Sequence, residues 1–351
     1  MGPSIFTAKA DTLGFLQEKI TKSKIEQIFN FTTEDWERNP LNILNNITTL
    51  FNGSLVIVRS SAVSEDTIEK SEAGTFASVL NVISTSRTKL KKAIQTVINS
   101  YEKKGKSNRN NQILIQKQTT NVKTSGVLFT KTPDTEAPYY IINFEDGKST
   151  DSVTKGLIGN TIKIFRKTPI KEIPNKWKNL IISIREIEQI LGTDFLDIEF
   201  AITDSNIVIF QVRPLTTGKK LHASNIEKKI FRLIEKNKKK YRALSRSAKL
   251  KKNKLIFSDM TDWNPAEIIG NRPHNLDYSL YDYLVMKKSW FDGRLMLGYQ
   301  KIDTPKLMRK FGNKPYVDAR TSFNSMIPKK MGTKLTNKLM NYYLTKLNLF
   351  W

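Results

Sequence analysis

An α+β fold is predicted for residues 1–216 from three features of the sequence. Apolar runs of strand length end in polar turns, amphipathic helical spacings are set between them, and neighbouring strands fall into hairpin-like pairs. In chain order, Asp11 or Thr12 is expected to cap a helix carrying Leu13, Leu16 and Ile20 on one face. Leu55 to Arg59 reads as a buried strand that runs into a polar loop at Ser60-Ser61, and Arg87 to Tyr101 as a helix with Leu90, Ile94, Val97, Ile98 and Tyr101 on its apolar side. Strands are predicted at Ile113–Lys117, Gly126–Thr130, Tyr139–Phe144 and Thr161–Arg166. A helix over Trp177 to Leu191 follows, and then two strands, Leu196–Ile202 and Ile207–Arg213. Residues 217–254 read as a basic helical linker, and 255–351 as a partial, α-rich C-terminal region containing many Trp, Tyr and Pro residues.

Composition excludes several classes. With 39% hydrophobic and 26% charged residues the chain can bury a core, and its 351 residues suggest two domains or three small ones. No apolar run approaches the ~18 residues of a membrane helix. Met1-Gly2-Pro3-Ser4 has neither the charged nor the apolar region of a signal peptide, so a soluble cytoplasmic protein with no membrane partner is expected. The absence of cysteine removes disulfides, thiolate metal sites and a cysteine nucleophile. His222 and His274 are the only histidines, too few for a histidine-rich metal centre.

The net charge is +25, and Glu227 to Lys254 alone supplies +11 of it from 13 Lys or Arg and 2 Glu. Ile230, Leu233, Ile234, Tyr241 and Leu244 give this stretch a helical spacing over much of its length. It reads as a solvated helix or linker. Nucleic acid is the alternative partner for such charge, but the chain has no zinc-finger, basic-zipper or RNP pattern to support it.

Gly147-Lys148-Ser149 looks like the tail of a phosphate-binding P-loop, but the glycine required five positions earlier is Ile142, so the match fails. Val58-Arg59-Ser60-Ser61-Ala62 places a cation and two hydroxyls at the end of a buried strand, a rigid mount against phosphate. Ser71-Glu72-Ala73-Gly74-Thr75-Phe76 supplies small residues through which backbone amides can approach an anion. Asp197-Ile198-Glu199-Phe200 and Phe210-Gln211-Val212-Arg213-Pro214 form a predicted hairpin. If Asp204-Ser205-Asn206 is a three-residue loop with Asn206 left-handed, Glu199 stands opposite Gln211 and Asp197 opposite Arg213. Oxygen ligands beside a guanidinium suit Mg²⁺ and polyphosphate; an exposed polar hairpin face is the competing reading.

In this order and spacing the segments resemble the nucleotide-binding domain of phosphoenolpyruvate synthase and pyruvate phosphate dikinase, which has the ATP-grasp fold. The resemblance covers roughly residues 5–216. It rests on Val58-Arg59-Ser60-Ser61-Ala62, Ser71-Glu72-Ala73-Gly74, Ser125-Gly126-Val127-Leu128-Phe129-Thr130 with Pro133, and Asp197-Ile198-Glu199 through Gln211-Val212-Arg213-Pro214. It implies ATP and Mg²⁺ as cofactors. Lys9, just before the first helix, and Arg59 and Ser60 would contact the nucleotide, and the loop at Gly74 and Thr75 would close over its phosphates. Gln116 would lie in the segment lining the adenine pocket. Asp151 stands where the family has glutamate, Glu199 and Gln211 would ligate the metal, and Arg213 would act on the transferred phosphoryl group. Two departures are Thr75 for a glutamine and Phe144-Glu145-Asp146-Gly147 for a glycine-rich stretch.

Phe6-Thr7-Ala8-Lys9-Ala10-Asp11-Thr12-Leu13 and the segment from Ser258 through Trp263-Asn264-Pro265-Ala266-Glu267 to Gly270 resemble a subgroup that includes bacterial L-glutamine kinases of capsule phosphoramidate synthesis. This implies phosphoryl transfer through a histidine to the amide of glutamine, with Trp263, Asn264 and Glu267 near an acceptor pocket, or alternatively with Trp263 and Pro265 fixing an interdomain turn. Neither His222 nor His274 has the Gly- and Ser-flanked context of that histidine, so the phosphohistidine domain is expected to be missing and the chain to be the N-terminal part of a longer kinase. The alternatives are a pyruvate acceptor and a noncatalytic nucleic-acid or regulatory protein on a degenerate ATP-grasp domain.

Overall fold

The computed structural model describes residues 8–62, 66–67, 70–71, 76–105, 108–147, 160–215, 224–247, 255–259, 264–302 and 306–349. Two compact units divide the chain, Met1–Glu227 and Lys228–Trp351. No helix among the described residues is long and apolar enough to cross a membrane.

The first unit opens with α1 (Lys9–Gln17), which begins earlier than the sequence suggests. Its N-cap is Ala8, whose side chain cannot cap; instead the Ser61 hydroxyl accepts a hydrogen bond from the Ala10 amide at 3.0 Å. Asp11 and Thr12 therefore sit inside the first turn, and Ile20 lies beyond the helix end. β1 (Ile28–Thr32) leads into α2 (Thr33–Arg38) through a reciprocal cap between Thr32 and Asp35. Pro40 then starts α3 (Pro40–Phe51), which buries Ile43, Leu44, Ile47 and Phe51 and ends where Asn52 turns left-handed at φ 39°.

β2 (Leu55–Ser61) continues two residues past the expected strand, so Ser60 and Ser61 are paired backbone rather than loop. A two-residue ribbon, β3 (Asp66–Thr67) with β4 (Lys70–Ser71), precedes β5 (Ser78–Ile83), and α4 (Arg87–Lys103) and β6 (Gln112–Lys117) follow. The first sheet is antiparallel in the order β1-β6-β2-β5. Val56 and Val58 of β2 and Ile113 and Ile115 of β6 point into the core formed with α3 and α4. Alternation along each strand puts Arg59, its register partner Leu114, and Gln116 on the opposite face.

β7 (Thr124–Phe129), β8 (Tyr139–Asp146), β9 (Asn160–Phe165), α5 (Asn175–Leu191), β10 (Leu196–Ile202) and β11 (Ile207–Pro214) complete the unit. The second sheet is antiparallel in the order β11-β10-β7-β8-β9. α5 lays Trp177, Leu180, Ile181, Ile184, Ile187 and Leu191 on this sheet, against Ile198, Phe200, Ile209 and Val212. Fully burying one such side chain contributes about 1.5–3 kcal/mol. Gly126 is required where β7 meets β8, because a Cβ there would stand 2.2 Å from the Asn143 carbonyl oxygen.

α6 (Ser224–Ser247) is the basic segment, helical as its spacing suggests. The second unit also holds β12 (Phe257–Ser258), α7 (Pro265–Ile268), α8 (Asn275–Tyr281), a π-helical stretch (Asp282–Ser289), α9 (Trp290–Met296), β13 (Met308–Phe311), β14 (Lys314–Asp318), α10 (Ala319–Ser325) and α11 (Thr333–Leu349). The α-rich region expected here thus also contains a three-stranded antiparallel sheet, β12-β14-β13, packed through Met308 and Val317 on Met286 and Trp290.

Candidate functional site

The β10–β11 hairpin has the register expected of it, with Glu199 opposite Gln211 and Asp197 opposite Arg213, but by a different route. Ile202 pairs with Ile207, so the connection has four residues, Thr203 to Asn206, and Asn206 is not left-handed. A bulge between Glu199 and Phe200 absorbs the extra residue: Phe200 pairs with Ile209, Glu199 with Gln211, and Phe210 is left over. The apolar pattern carries the same break, since Ile207, Ile209 and Val212 face one core and Val208 and Phe210 pack elsewhere. That break in the alternation is the signal from which the bulge could have been read.

The bulge matters because it frees a carbonyl. Arg59 Nη1 donates to the Phe210 oxygen at 3.1 Å and to Gln116 Oε1 at 3.4 Å, while Nη2 reaches Glu199 Oε2 at 3.0 Å. One guanidinium from the first sheet therefore spans to the hairpin of the second. Glu199 and Arg59 keep 17% and 12% of their side chains exposed. Arg213 donates from Nε and Nη2 to Asp197 Oδ2 at 2.8 and 2.6 Å, a buried pair on the same face of the hairpin.

Lys9 is buried at the start of α1, and its position follows from the Ser61–Ala10 hydrogen bond. Ser61 in turn is fixed by the Tyr101 hydroxyl, which accepts from the Ser61 amide at 3.0 Å and donates to the Gln112 carbonyl at 2.7 Å. Burial alone would raise the Glu199 pKa, but Arg59, Lys9 and Arg213 outweigh it and hold the carboxyl below its ordinary 4.5. Glu199 is therefore a carboxylate at neutral pH.

The structure thus brings Lys9, Arg59, Gln116, Glu199, Gln211, Asp197 and Arg213 together. It differs from expectation in detail. Lys9 is the first residue of α1 rather than preceding it. Ser60 pairs with core-facing Ile113, which puts it on the face away from Arg59, and Ser61 stands at the start of α1 instead. Gln116 lies beside Arg59, and its buried Nε2 has no hydrogen-bond partner. Gly74, Thr75, Asp151, Trp263 and His222 lie outside the described residues.

Glu199 and Gln211 are both oxygen donors on adjacent strands, as Mg²⁺ requires, although no group of three His, Asp or Glu among the described residues could hold a metal by itself. Magnesium fits such a sparse site because it keeps waters and takes further oxygens from phosphates. In the second unit Asn264 Oδ1 accepts from the Ala266 and Glu267 amides at 3.1 and 3.3 Å, capping α7, and Asn264 Nδ2 reaches Glu267 at 3.4 Å. His274 precedes α8, its amide donating to Asp277 at 3.1 Å.

The family described as "Pyruvate phosphate dikinase, AMP/ATP-binding domain" matches residues 22–169. ATP is the ligand this match supports. It spans β1 to β9, including Arg59 and Gln116, and stops before the hairpin that carries Glu199 and Gln211. With its two antiparallel sheets meeting at Arg59, the first unit has the ATP-grasp arrangement that the resemblance implied. No curated protein matches the sequence. Among solved structures, the D-alanine–D-alanine ligases of Helicobacter pylori and Coxiella burnetii are each 12% identical, with TM-scores of 0.34, over 60% and 62% of this chain. The match spans about half of each ligase, 51%. A dinucleotide-forming acetyl-coenzyme A synthetase from Ca. Korarchaeum cryptofilum is 11% identical over 60% of this chain and 92% of its own, with a TM-score of 0.40. These likenesses are too distant to carry a substrate across.

Proposed function

We propose that the chain is the ATP-binding part of a dikinase-like phosphotransferase, with the triphosphate held between the two sheets of the first unit. The reading rests on one observation above all: Arg59 from the first sheet and Glu199 from the second meet at 3.0 Å, with Lys9 and Arg213 adding positive charge. Lys9 and Arg59 bind phosphate oxygens in this reading. Glu199 and Gln211 hold Mg²⁺, which when bound would neutralise charge on the phosphates. Arg213, oriented by Asp197, stabilises charge on the transferred group, and Gln116 Nε2 supplies a neutral donor. Because Arg59 and Glu199 neutralise each other in this structure, ligand binding exchanges their bond for phosphate on the arginine and metal on the carboxylate.

We further assign residues 1–216 as the nucleotide-binding domain, 217–254 as linker and 255–351 as an acceptor-side region. The phosphoryl group would pass through a histidine on a separate domain to a small acceptor, the amide of L-glutamine, with pyruvate as the second choice. The motif around Trp263-Asn264 supports glutamine, while the capping role of Asn264 leaves only part of that motif for a substrate. Calorimetric titration with Mg-ATP tests the reading: the chain should bind saturably, and Glu199→Ala should abolish the magnesium-dependent part. Equal affinity in the two proteins would refute it. Product analysis by ³¹P NMR, with the phosphohistidine domain supplied and glutamine or pyruvate offered, separates the acceptors.

A further inference from the structure

The second unit contains a groove that the phosphotransferase reading leaves unused. One wall is α6, where Lys238, Tyr241 and Arg242 recur at helical spacing; the other is the exposed face of the β12-β14-β13 sheet, which presents Phe257, Phe311 and Tyr316. Register explains why these rings share a face. Tyr316 stands opposite Arg309, Phe311 is two residues further along the same strand, and Phe257 opposes Asp318, two residues from Tyr316. Met308 and Val317 alternate to the other face and fill the core, so the rings are not needed there.

The four rings are half-exposed and contact one another edge-on or tilted, with Tyr241 6.2 Å from Phe257, Phe257 4.9 Å from Phe311, and Phe311 6.0 Å from Tyr316. The helix is tied down along the groove itself, where Asn237 Oδ1 accepts from the Gly312 amide at 3.1 Å and the Tyr241 hydroxyl donates to the Leu255 carbonyl at 2.8 Å. The open groove offers about 430 Å³, within the range that accepts a planar ligand.

Cations rim the groove. Lys240 lies 5.3 Å over the Phe311 ring, and its pKa is lowered by desolvation and by Arg309, Lys306, Lys236 and Lys310 crowding around it. Arg309 Nε is buried without a hydrogen-bond partner. Glu235 and Asp259 are already bridged to Lys238 and Lys314, so they do not cancel the excess.

We propose that this groove binds single-stranded nucleic acid, with bases stacking on Phe257, Phe311, Tyr316 and Tyr241 and phosphates tracking the Lys and Arg rim of α6. Flat rings beside cations match that ligand in both of its parts, since every base has a π-face and every nucleotide a charge. An acidic peptide would satisfy the rim and leave the rings unused. A duplex hides its base faces and could engage only the rim. The absence of a zinc-finger or RNP pattern does not count against such a surface, because sequence-tolerant stacking needs no motif.

Fluorescence anisotropy of a labelled oligouridylate of about 15 nucleotides, titrated with the full chain, tests the assignment. Saturable binding is expected, weakening at least about tenfold from low to physiological salt. Phe311→Leu should weaken it by about tenfold. So should Arg242→Glu, which removes an exposed rim charge without touching the core. Melting followed by circular dichroism establishes that both variants remain folded, and if Phe311→Leu does not fold, Arg242→Glu alone decides. Lys91→Glu with Lys92→Glu, on the exposed side of α4 in the other unit, should leave binding unchanged. The proposal is overturned if no saturable signal appears, if a duplex or polyglutamate competes as well as the single strand, or if the α4 pair matters as much as Arg242. Mg-ATP affinity is read separately, so neither result predetermines the other.

Discussion

The second sheet carries two clusters of arginine with carboxylate, and they differ in what is left over. On the α5 side, Arg166 donates to Glu188 at 2.5 and 3.1 Å and to the Thr130 carbonyl at 3.0 Å, and lies 3.6 Å from Asp194, which also pairs with Lys131. The Tyr140 hydroxyl, pushed up to about 12 chiefly by burial, donates to Glu188 at 3.1 Å. Glu188 and Asp194 are both bridged there, and a third cation, Arg185, is taken up by the Arg166 and Thr168 carbonyls at 2.7 and 3.1 Å. On the opposite face, Arg59 pairs with Glu199 and Arg213 with Asp197, Lys9 adds a third positive charge beside Glu199, and the buried Gln116 Nε2 has no partner among the described residues. Cations whose donors are taken up by carboxylates and carbonyls close a structural cluster. Three cations gathered around Glu199, with part of Arg59 and Glu199 still exposed and the Gln116 amide donor beside them, suit an anion.

Breaking one member of each cluster should separate the two roles. Glu188→Ala strands Arg166 with a buried charge, and urea unfolding should show a loss of about 3–5 kcal/mol with Mg-ATP affinity unchanged. A smaller loss would mean that Asp194 takes over. Arg213→Ala should affect both transfer and stability. Removing the guanidinium leaves a buried Asp197 carboxylate, so the substitution should lower stability by about 3 kcal/mol in urea as well as impair transfer. A double-mutant cycle with Asp197→Ala should show the two losses to be strongly non-additive.

Gly126→Ala tests the frame that both clusters share. Its Cβ would press on the Asn143 carbonyl between β7 and β8, and the overpacking should lower stability by about 1–3 kcal/mol in urea. The smallest expected effect is a pH dependence. Glu199 is depressed in the folded chain, so its contribution is fully present above its unfolded value near 4.5 and is lost as pH falls below that. Glu199→Gln should flatten this acid limb in melts recorded between neutral and mildly acidic pH. An unchanged limb would assign it to other carboxylates.

Much of this arrangement was legible in the sequence where local rules and tertiary packing agree. The strands at residues 113–117, 139–144 and 196–202 and the helix over Trp177 to Leu191 follow their apolar periods, and the observed elements differ from them by a few residues at the ends. The Glu199–Gln211 pairing was right although the turn beneath it was not: a longer connection and a bulge compensate, and the bulge shows only as a phase break after Ile209. β1, α2 and α3 were missed, though the Thr32–Asp35 cap and the Asn39-Pro40 start mark them plainly. Ser60 was misplaced because strand pairing continues to Ser61, which depends on β6 and not on the local sequence. The small sheet of the second unit was hidden because β12 has only two residues and β13 four, too short for alternation to register.

The decisive measurement compares melting temperatures with and without Mg-ATP for the native chain, Arg59→Ala and Lys131→Ala. A ligand that binds only the folded state raises the midpoint in proportion to its affinity. If the cluster of Lys9, Arg59 and Arg213 around Glu199 is the triphosphate site, the native chain and Lys131→Ala should rise together and Arg59→Ala should not. A full shift in Arg59→Ala, or its loss only in Lys131→Ala, would contradict the account.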